Sequence, residues 1–322
     1  MPTALWITGK NMSALQPEEL PAGNDLVEVE TLFSGISRGT ESLVFLGAVP
    51  ESERERMRCP NQAGDFPFPV KYGYSNVGRI KSGPRAGEIV FCLFPHQDRF
   101  AVPDTDLVTL PANLPPARAV LAANMETALN IVWDARAAPG DRIAVIGAGV
   151  VGALCAWLCH RIPGSEVTLV DVNAARRVLA EQLAVPFASR PPADCDIAIH
   201  ASASEAGLQS ALDCAGREAR IVEASWYGDR GVELSLGANF HAGRLKLVSS
   251  QVGSIPTERA ARWDFRRRLS KALDLLASDQ SLDALISGTS EFATLDRDYA
   301  KILADPATLC HRISYPQASK GH

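Results

Sequence analysis

Gly147, Gly149 and Gly152, in the stretch "VIGAGVVGAL" at 145–154, have the spacing of a loop that lets backbone approach a phosphate. An apolar run, "RIAVI", precedes them as a strand, and "VVGALCAWLCHRI" follows as a helix. In that setting each glycine has a separate task. Gly147 permits the tight turn, Gly149 leaves room for a pyrophosphate, and Gly152 lets helix and strand pack closely. Val150 and Val151 open the helix, whose first N–H groups and partial positive charge attract the phosphates. The next strand, "EVTLVDVN", ends on Asp171. A carboxylate there accepts hydrogen bonds from both ribose hydroxyls and repels a 2′-phosphate, so NAD is expected ahead of NADP. Arg176 and Arg177, about one helical turn beyond, soften that preference and keep NADP as the second choice. A bare tight turn would explain the glycines alone, but not the order strand, loop, helix, acid.

A second group carries hydroxyls. "SGISRGTE" at 34–41 holds Ser37 and Thr40, and "KYGYSNVG" at 71–78 holds Tyr74. Each hydroxyl both donates and accepts, which acid catalysis or a proton relay requires.

The elements that must position these groups are legible as two kinds of chain. Up to about residue 115 the sequence reads as short strands cut by proline and glycine, with "DLVEVETLF" alternating at period two and "EIVFCLF" and "RFAVP" as further strands. From Pro115 the spacing turns helical, and β-branched runs then alternate with amphipathic helices: "EVTLVDVN", "CDIAIHAS", "EARIVEAS" and "LKLVSSQVG" are the strands. That alternation predicts a doubly wound parallel sheet covered on both faces. After about Ile255 helices return in "RRRLSKALDLLASD" and "LDRDYAKILAD", and "LCHRISY" reads as a last strand. The fold class is therefore α/β, a doubly wound parallel sheet joined to a β-rich domain, with boundaries expected at 1–117, 118–254 and 255–322.

Composition narrows the partners. The 322 residues are 46% hydrophobic and 21% charged, ordinary for a globular protein, and the net charge of −5 gives no footprint for nucleic acid. The basic run Arg266–Arg268 is expected on a solvated helix face. No apolar run is long enough to span a bilayer, and "MPTALWITGK" does not read as a signal peptide, so a cytoplasmic protein without a membrane partner is expected. The seven cysteines show no metal-ligand spacing, and Cys155 and Cys159 are expected as buried apolar side chains. His96, His160, His200, His241, His311 and His322 likewise show no metal-ligand spacing.

Nearly end to end, these motifs resemble the medium-chain dehydrogenase/reductase superfamily, the zinc alcohol dehydrogenase-like proteins. The resemblance implies a GroES-like catalytic domain beside a Rossmann domain, with the substrate held in the cleft between them. It also marks departures. Zinc-using relatives carry a ligand Cys where Ser37 or Arg38 stands here, and a G-H-E segment where this chain has Gly73-Tyr74-Ser75. Tyr74 thus replaces a ligand His and Ser75 a Glu, and the four closely spaced cysteines of the structural zinc lobe are absent. No zinc is expected.

Without the metal, the oxygen that gathers charge needs hydrogen-bond donors. Tyr74 is the first choice for acid or oxyanion donor, or else it packs the cleft wall. Thr40 matches a relay hydroxyl of the zinc relatives, with Ser37 beside it. Glu41 matches a structural partner. His96 is expected near the cleft mouth as a shuttle or, more simply, as a structural group, and Lys71 as a surface lysine or as a charge that tunes a phenol. Glu126 and Asn124 are weaker substrate contacts. Ser250 and Gln251 are expected near the cofactor, and Trp226 and Tyr227 along the pocket.

The resulting expectation is a zinc-independent NAD(P)-dependent oxidoreductase acting on a small carbonyl or alcohol. A quinone or enoyl reductase of the same superfamily is the alternative, and a non-catalytic dinucleotide-binding redox sensor is the alternative of another class. By analogy with relatives, a homodimer is expected.

Overall fold

The computed structural model describes residues 1–23 and 25–316; His322 lies outside them. In chain order the first strands are β1 (Thr3–Gly9), β2 (Met12–Pro17) and β3 (Leu26–Ser37), followed by helix α1 (Arg38–Phe45). Then come β4 (Ala63–Gly64), β5 (Val70–Lys71), β6 (Asn76–Ile80), β7 (Ile89–Cys92), β8 (Arg99–Pro103) and β9 (Val108–Thr109). Helices α2 (Pro116–Ala119) and α3 (Ala122–Ala135) lead to β10 (Arg142–Ile146), α4 (Val150–His160), β11 (Glu166–Val170), α5 (Arg177–Gln182) and β12 (Phe187–Ala188). β13 (Cys195–His200), α6 (Glu205–Cys214), β14 (Ala215–Glu223) and β15 (Lys246–Ser249) complete this run. The chain closes with α7 (Thr257–Ala260), α8 (Phe265–Ala277), β16 (Ile286–Glu291), α9 (Leu295–Ala304) and β17 (Cys310–Ser314).

Two compact units result. One is Met1–Ala123 with the segment from Leu273 onward, and the other is Asn124–Ala272. The expected boundaries after residues 117 and 254 therefore move to 123 and 272, and ion pairs explain both shifts. Arg118 holds Asp283 at 2.7 Å and the Leu276 carbonyl at 3.2 Å, which keeps it in the first unit. Arg268, buried at 2% exposure, pairs with Glu126 at 3.0 Å and also bonds Asn130 and the Val252 carbonyl, which keeps it in the second. The expectation that the whole run Arg266–Arg268 is solvated is thus corrected: Arg266 and Arg267 are exposed and Arg268 is not.

In the first unit a seven-stranded sheet runs β16-β17-β3-β6-β7-β9, with β8 also paired to β3. Its core gathers Val29, Ile80, Val90, Phe100, Val102 and Leu107, each contributing about 1.5–3 kcal/mol on burial. A four-stranded sheet, β2-β1-β5-β4, forms beside it. Lys71 belongs to that sheet and is buried, its ammonium 3.0 Å from Glu18 and 2.9 Å from Gln97. It is neither the expected surface lysine nor a charge free to tune a phenol.

In the second unit the sheet runs β12-β11-β10-β13-β14-β15 and every pairing is parallel. Strands such as "RIAVI" are apolar on both faces because helices cover both. Strand order reverses between β10 and β13, and in sheets of this kind ligands bind beyond the carboxyl ends of the strands at that point. Cys155 and Cys159 are fully buried in α4. Among the described residues no helix is long and apolar enough to cross a membrane.

Candidate functional site: a glycine loop and a hydroxyl cluster

β10 ends at Ile146 and the chain turns at Gly147, whose φ of +107° lies in the left-handed region that glycine tolerates. A Cβ there would stand 2.8 Å from the Ala201 carbonyl carbon and the Ser202 nitrogen, and one on Gly152 would stand 1.9 Å from the Gly147 oxygen. Both glycines are therefore required by close approach of backbone. Gly149 differs: a Cβ there meets nothing within 4 Å. It caps α4 without any side-chain hydrogen bond, so no capping side chain covers the amides of the first turn, including those of Val150 and Val151. The arrangement leaves these amides open, as an anion site at a helix start would require.

Asp171 is tied to this loop. Its Oδ2 accepts from the Ala148 amide and its Oδ1 from the Asn173 amide, each at 2.8 Å. A carboxylate has about four acceptor positions, so two remain for vicinal hydroxyls. Arg176 lies half-buried in the turn that follows, and Arg177 stacks its guanidinium 5.0 Å from the Phe187 ring centre. Ser250 follows β15 in the same parallel sheet, and its hydroxyl donates to Asp134 at 2.6 Å. Gln251 folds back so that its Oε1 accepts from the Gly253 amide.

In the first unit the three hydroxyl candidates come together. The Tyr74 phenol lies near the side chains of Ser37 and Thr40, and both favour its ionised form. The turn from β3 into α1 supplies Ser37 and Thr40, and the loop before β6 supplies Tyr74. Burial, and then the negative charge of Glu41, push the Tyr74 phenol above its ordinary pKa, and the two hydroxyl contacts only partly oppose this. The phenol is a proton donor throughout the neutral range. Ser75 is turned away, buried and donating to the Val120 carbonyl.

Glu41 anchors the cluster from beneath. Fully buried, it accepts from the Ser37 amide and the Tyr299 hydroxyl at 2.7 Å and contacts His96 Nε2 at 3.0 Å. The other His96 nitrogen lies 2.7 Å from Ser34 Oγ, which lies 2.9 Å from the Tyr315 hydroxyl. One proton arrangement satisfies all of them: Tyr315 to Ser34, Ser34 to Nδ1, and Nε2–H to Glu41. His96, 1% exposed, is thus a buried structural group and not a shuttle at a solvent-facing mouth. Glu126, expected as a weak substrate contact, is instead spent on Arg268.

The sequence reading missed one group. His200 ends β13, Glu223 ends β14, and the strand register sets them side by side. His200 Nδ1 is 2.7 Å from Glu223 Oε2, and Nε2 is 2.6 Å from Ser202 Oγ. The Tyr227 hydroxyl donates to the same Glu223 oxygen at 3.1 Å and the Ser225 amide to the other at 2.7 Å. Tyr227, expected along a pocket wall, is held by this carboxylate. The signal was a polar residue closing each of two apolar strands, "IAIH" and "RIVE", in a sheet whose carboxyl ends bind ligands.

No family model matches the chain. Among curated proteins it is similar to D-xylulose reductase A of Aspergillus oryzae, 23% identical over 217 residues, 64% of this chain and 59% of that relative's length. The chain thus spans under two thirds of that relative. Among solved structures, L-idonate 5-dehydrogenase from Escherichia coli superposes with a TM-score of 0.80 at 13% identity, covering 97% of this chain and 98% of that one. A short chain alcohol dehydrogenase from E. coli CFT073, complexed with NADH, superposes at 0.76 with 16% identity, covering 97% and 99%. These superpositions bear out the expected fold: the chain has a Rossmann unit and a GroES-like unit, the fold of the zinc alcohol dehydrogenase-like structures it matches.

Proposed function

We propose that the chain is a nicotinamide-dependent oxidoreductase that interconverts a small alcohol and its carbonyl compound without zinc. The observation that carries the reading is the open cradle at Gly149, with Asp171 fastened beside it. Gly147, Gly149, Val150, Val151 and Gly152 would hold the pyrophosphate, and Asp171 the adenosine ribose. NAD is the preferred form because a 2′-phosphate would meet that carboxylate. When bound, the nicotinamide supplies or accepts hydride. The similar proteins named for xylulose and idonate support a polyol or hydroxyketone as the substrate class.

The protein's own part is to hold and move a proton. Tyr74 donates to the carbonyl oxygen as charge develops there, and Thr40 and Ser37 return the proton through their hydroxyls. Zinc is a poor fit to this donor set. Hydroxyls of Ser37, Thr40 and Tyr74 compete badly with thiolate and imidazole for the ion, and His96 is already spent on Glu41 and Ser34. Cys59, near Tyr74, is a protonated thiol pushed up to about 12 by burial and donates to the Gly73 carbonyl.

The test is NADH oxidation against a panel of small ketoses and hydroxyketones, before and after EDTA. Activity should survive chelation, and Tyr74→Phe should lower kcat about 10²-fold with NADH affinity unchanged. A requirement for added zinc overturns the metal-free reading. Tight NADH binding with no turnover on any substrate moves the chain to the redox-sensor class.

A further inference from the structure

We propose that Ser202, His200 and Glu223 form a second catalytic group, a carboxylate–imidazole–hydroxyl relay that makes Ser202 a nucleophile toward activated esters. The two contacts of His200 fix its protonation. Nδ1 faces a carboxylate at 2.7 Å and so carries the proton, leaving the Nε2 lone pair for the Ser202 hydroxyl at 2.6 Å. His200 is fully buried, whereas Ser202 is exposed, so the base is shielded and the nucleophile is presented. Glu223 is itself held in place, accepting from the Ser225 amide and the Tyr227 hydroxyl.

A separate observation shows that the surroundings are cut to this contact. A Cβ on Gly207 would lie 2.4 Å from Ser202 Oγ and 2.7 Å from His200 Nε2. Only glycine in the first turn of α6 leaves the imidazole–hydroxyl junction closed. Ser204 Oγ lies 2.8 Å from Ser202 Oγ while accepting from the Gly207 amide, and so orients the hydroxyl from its other side.

The step balances with water as the second reactant. Ser202 Oγ bonds to the ester carbonyl carbon and its proton passes to His200 Nε2. The carbon–oxygen bond to the leaving group then breaks, and His200 returns the proton to the departing oxygen. Water, deprotonated by the same nitrogen, repeats the sequence on the acyl-serine and releases the acid. None of this uses the nicotinamide cofactor, so the ester reaction is measured with the cofactor left out.

The probe is 4-nitrophenyl acetate with the full-length protein and no cofactor, followed by nitrophenolate release and by mass spectrometry of the peptide bearing Ser202. The expected result is a burst with an acetyl group on Ser202. Ser202→Ala, an exposed change that leaves the melting temperature in place, should abolish both. Glu223→Gln, which keeps the shape of the side chain, should slow the burst about 10⁴-fold, the scale known for the carboxylate of such relays. No burst in the parent protein overturns the proposal. So does a burst that persists in Ser202→Ala, because the acetyl group then sits on another side chain.

Discussion

Gly149→Ala separates holding the fold from holding the phosphate. Gly149 has φ −76° and ψ −178°, extended backbone that any residue adopts, and an added methyl touches nothing within 4 Å. Replacing glycine at such a position stiffens the unfolded chain and favours folding by about 0.4–1 kcal/mol. Alanine is the poorer helix cap, at a cost of about 0.5–1 kcal/mol. The two effects offset, and stability should stay within about 1 kcal/mol, a few degrees of melting temperature. Binding should not survive so well. The methyl fills the approach to the amides at the start of α4, and losing two charge-assisted hydrogen bonds at about 1.5 kcal/mol each weakens NADH by roughly 100-fold. Fluorescence titration of NADH beside a thermal scan reads both quantities on one sample. Gly152→Ala is the contrast, since its Cβ would stand 1.9 Å from the Gly147 oxygen and the backbone must move. That variant should lose about 3 kcal/mol or more with no ligand present. A Gly149→Ala protein that melts normally and binds NADH with unchanged Kd would refute the phosphate cradle.

Two further outcomes follow from buried charge and buried sulfur. Arg268→Ala strands the Glu126 carboxylate, which is 4% exposed, and should destabilise the second unit by about 3–5 kcal/mol in urea unfolding. Burial already pushes the Glu126 carboxyl upward, so adding Glu126→Gln should recover part of that loss; an Arg268→Ala protein as stable as the parent sinks the argument. Burial also pushes the thiols of Cys59, Cys159 and Cys310 up to about 12. At pH 8 only about one in 10⁴ of each is thiolate, so a disulfide reagent should react slowly with these three thiols in the native chain and rapidly with them after denaturation. Fast native labelling at Cys59 would contradict it.

What the sequence discloses here is whatever lies close along the chain. The strand, Gly147, Gly149, Gly152 and Asp171 form one local run, and each glycine's task follows from where backbone must pass. Ser37, Thr40 and Tyr74 were legible as hydroxyls in two motifs, and the fold joins them because β3 and β6 are neighbours. Long polar side chains were misjudged for one physical reason. Lys71 and Arg268 are inside because Glu18 and Glu126 neutralise them, and those partners come from distant parts of the chain. Nothing in "RRRLSK" distinguishes its third arginine from the first two. His96 misled in the same way, since its position depends on Ser34 and Glu41 from one segment and Tyr315 from the far end of the chain. His200 and Glu223 needed the cross-strand register, which no periodicity within a single strand reveals.

β17 pairs with β3 from Cys310↔Ser37 to Ser314↔Phe33. During synthesis β3 therefore leaves the ribosome long before its neighbour exists, with one edge bare and open to foreign strands. The residues 124–272 that come between form a unit contiguous in sequence, able to collapse first. Once they do, a long floppy tether becomes a compact insert, and the entropy lost in bringing β17 home falls. Damage to the inserted sheet should then surface as clumping of the other unit, whose own residues are untouched.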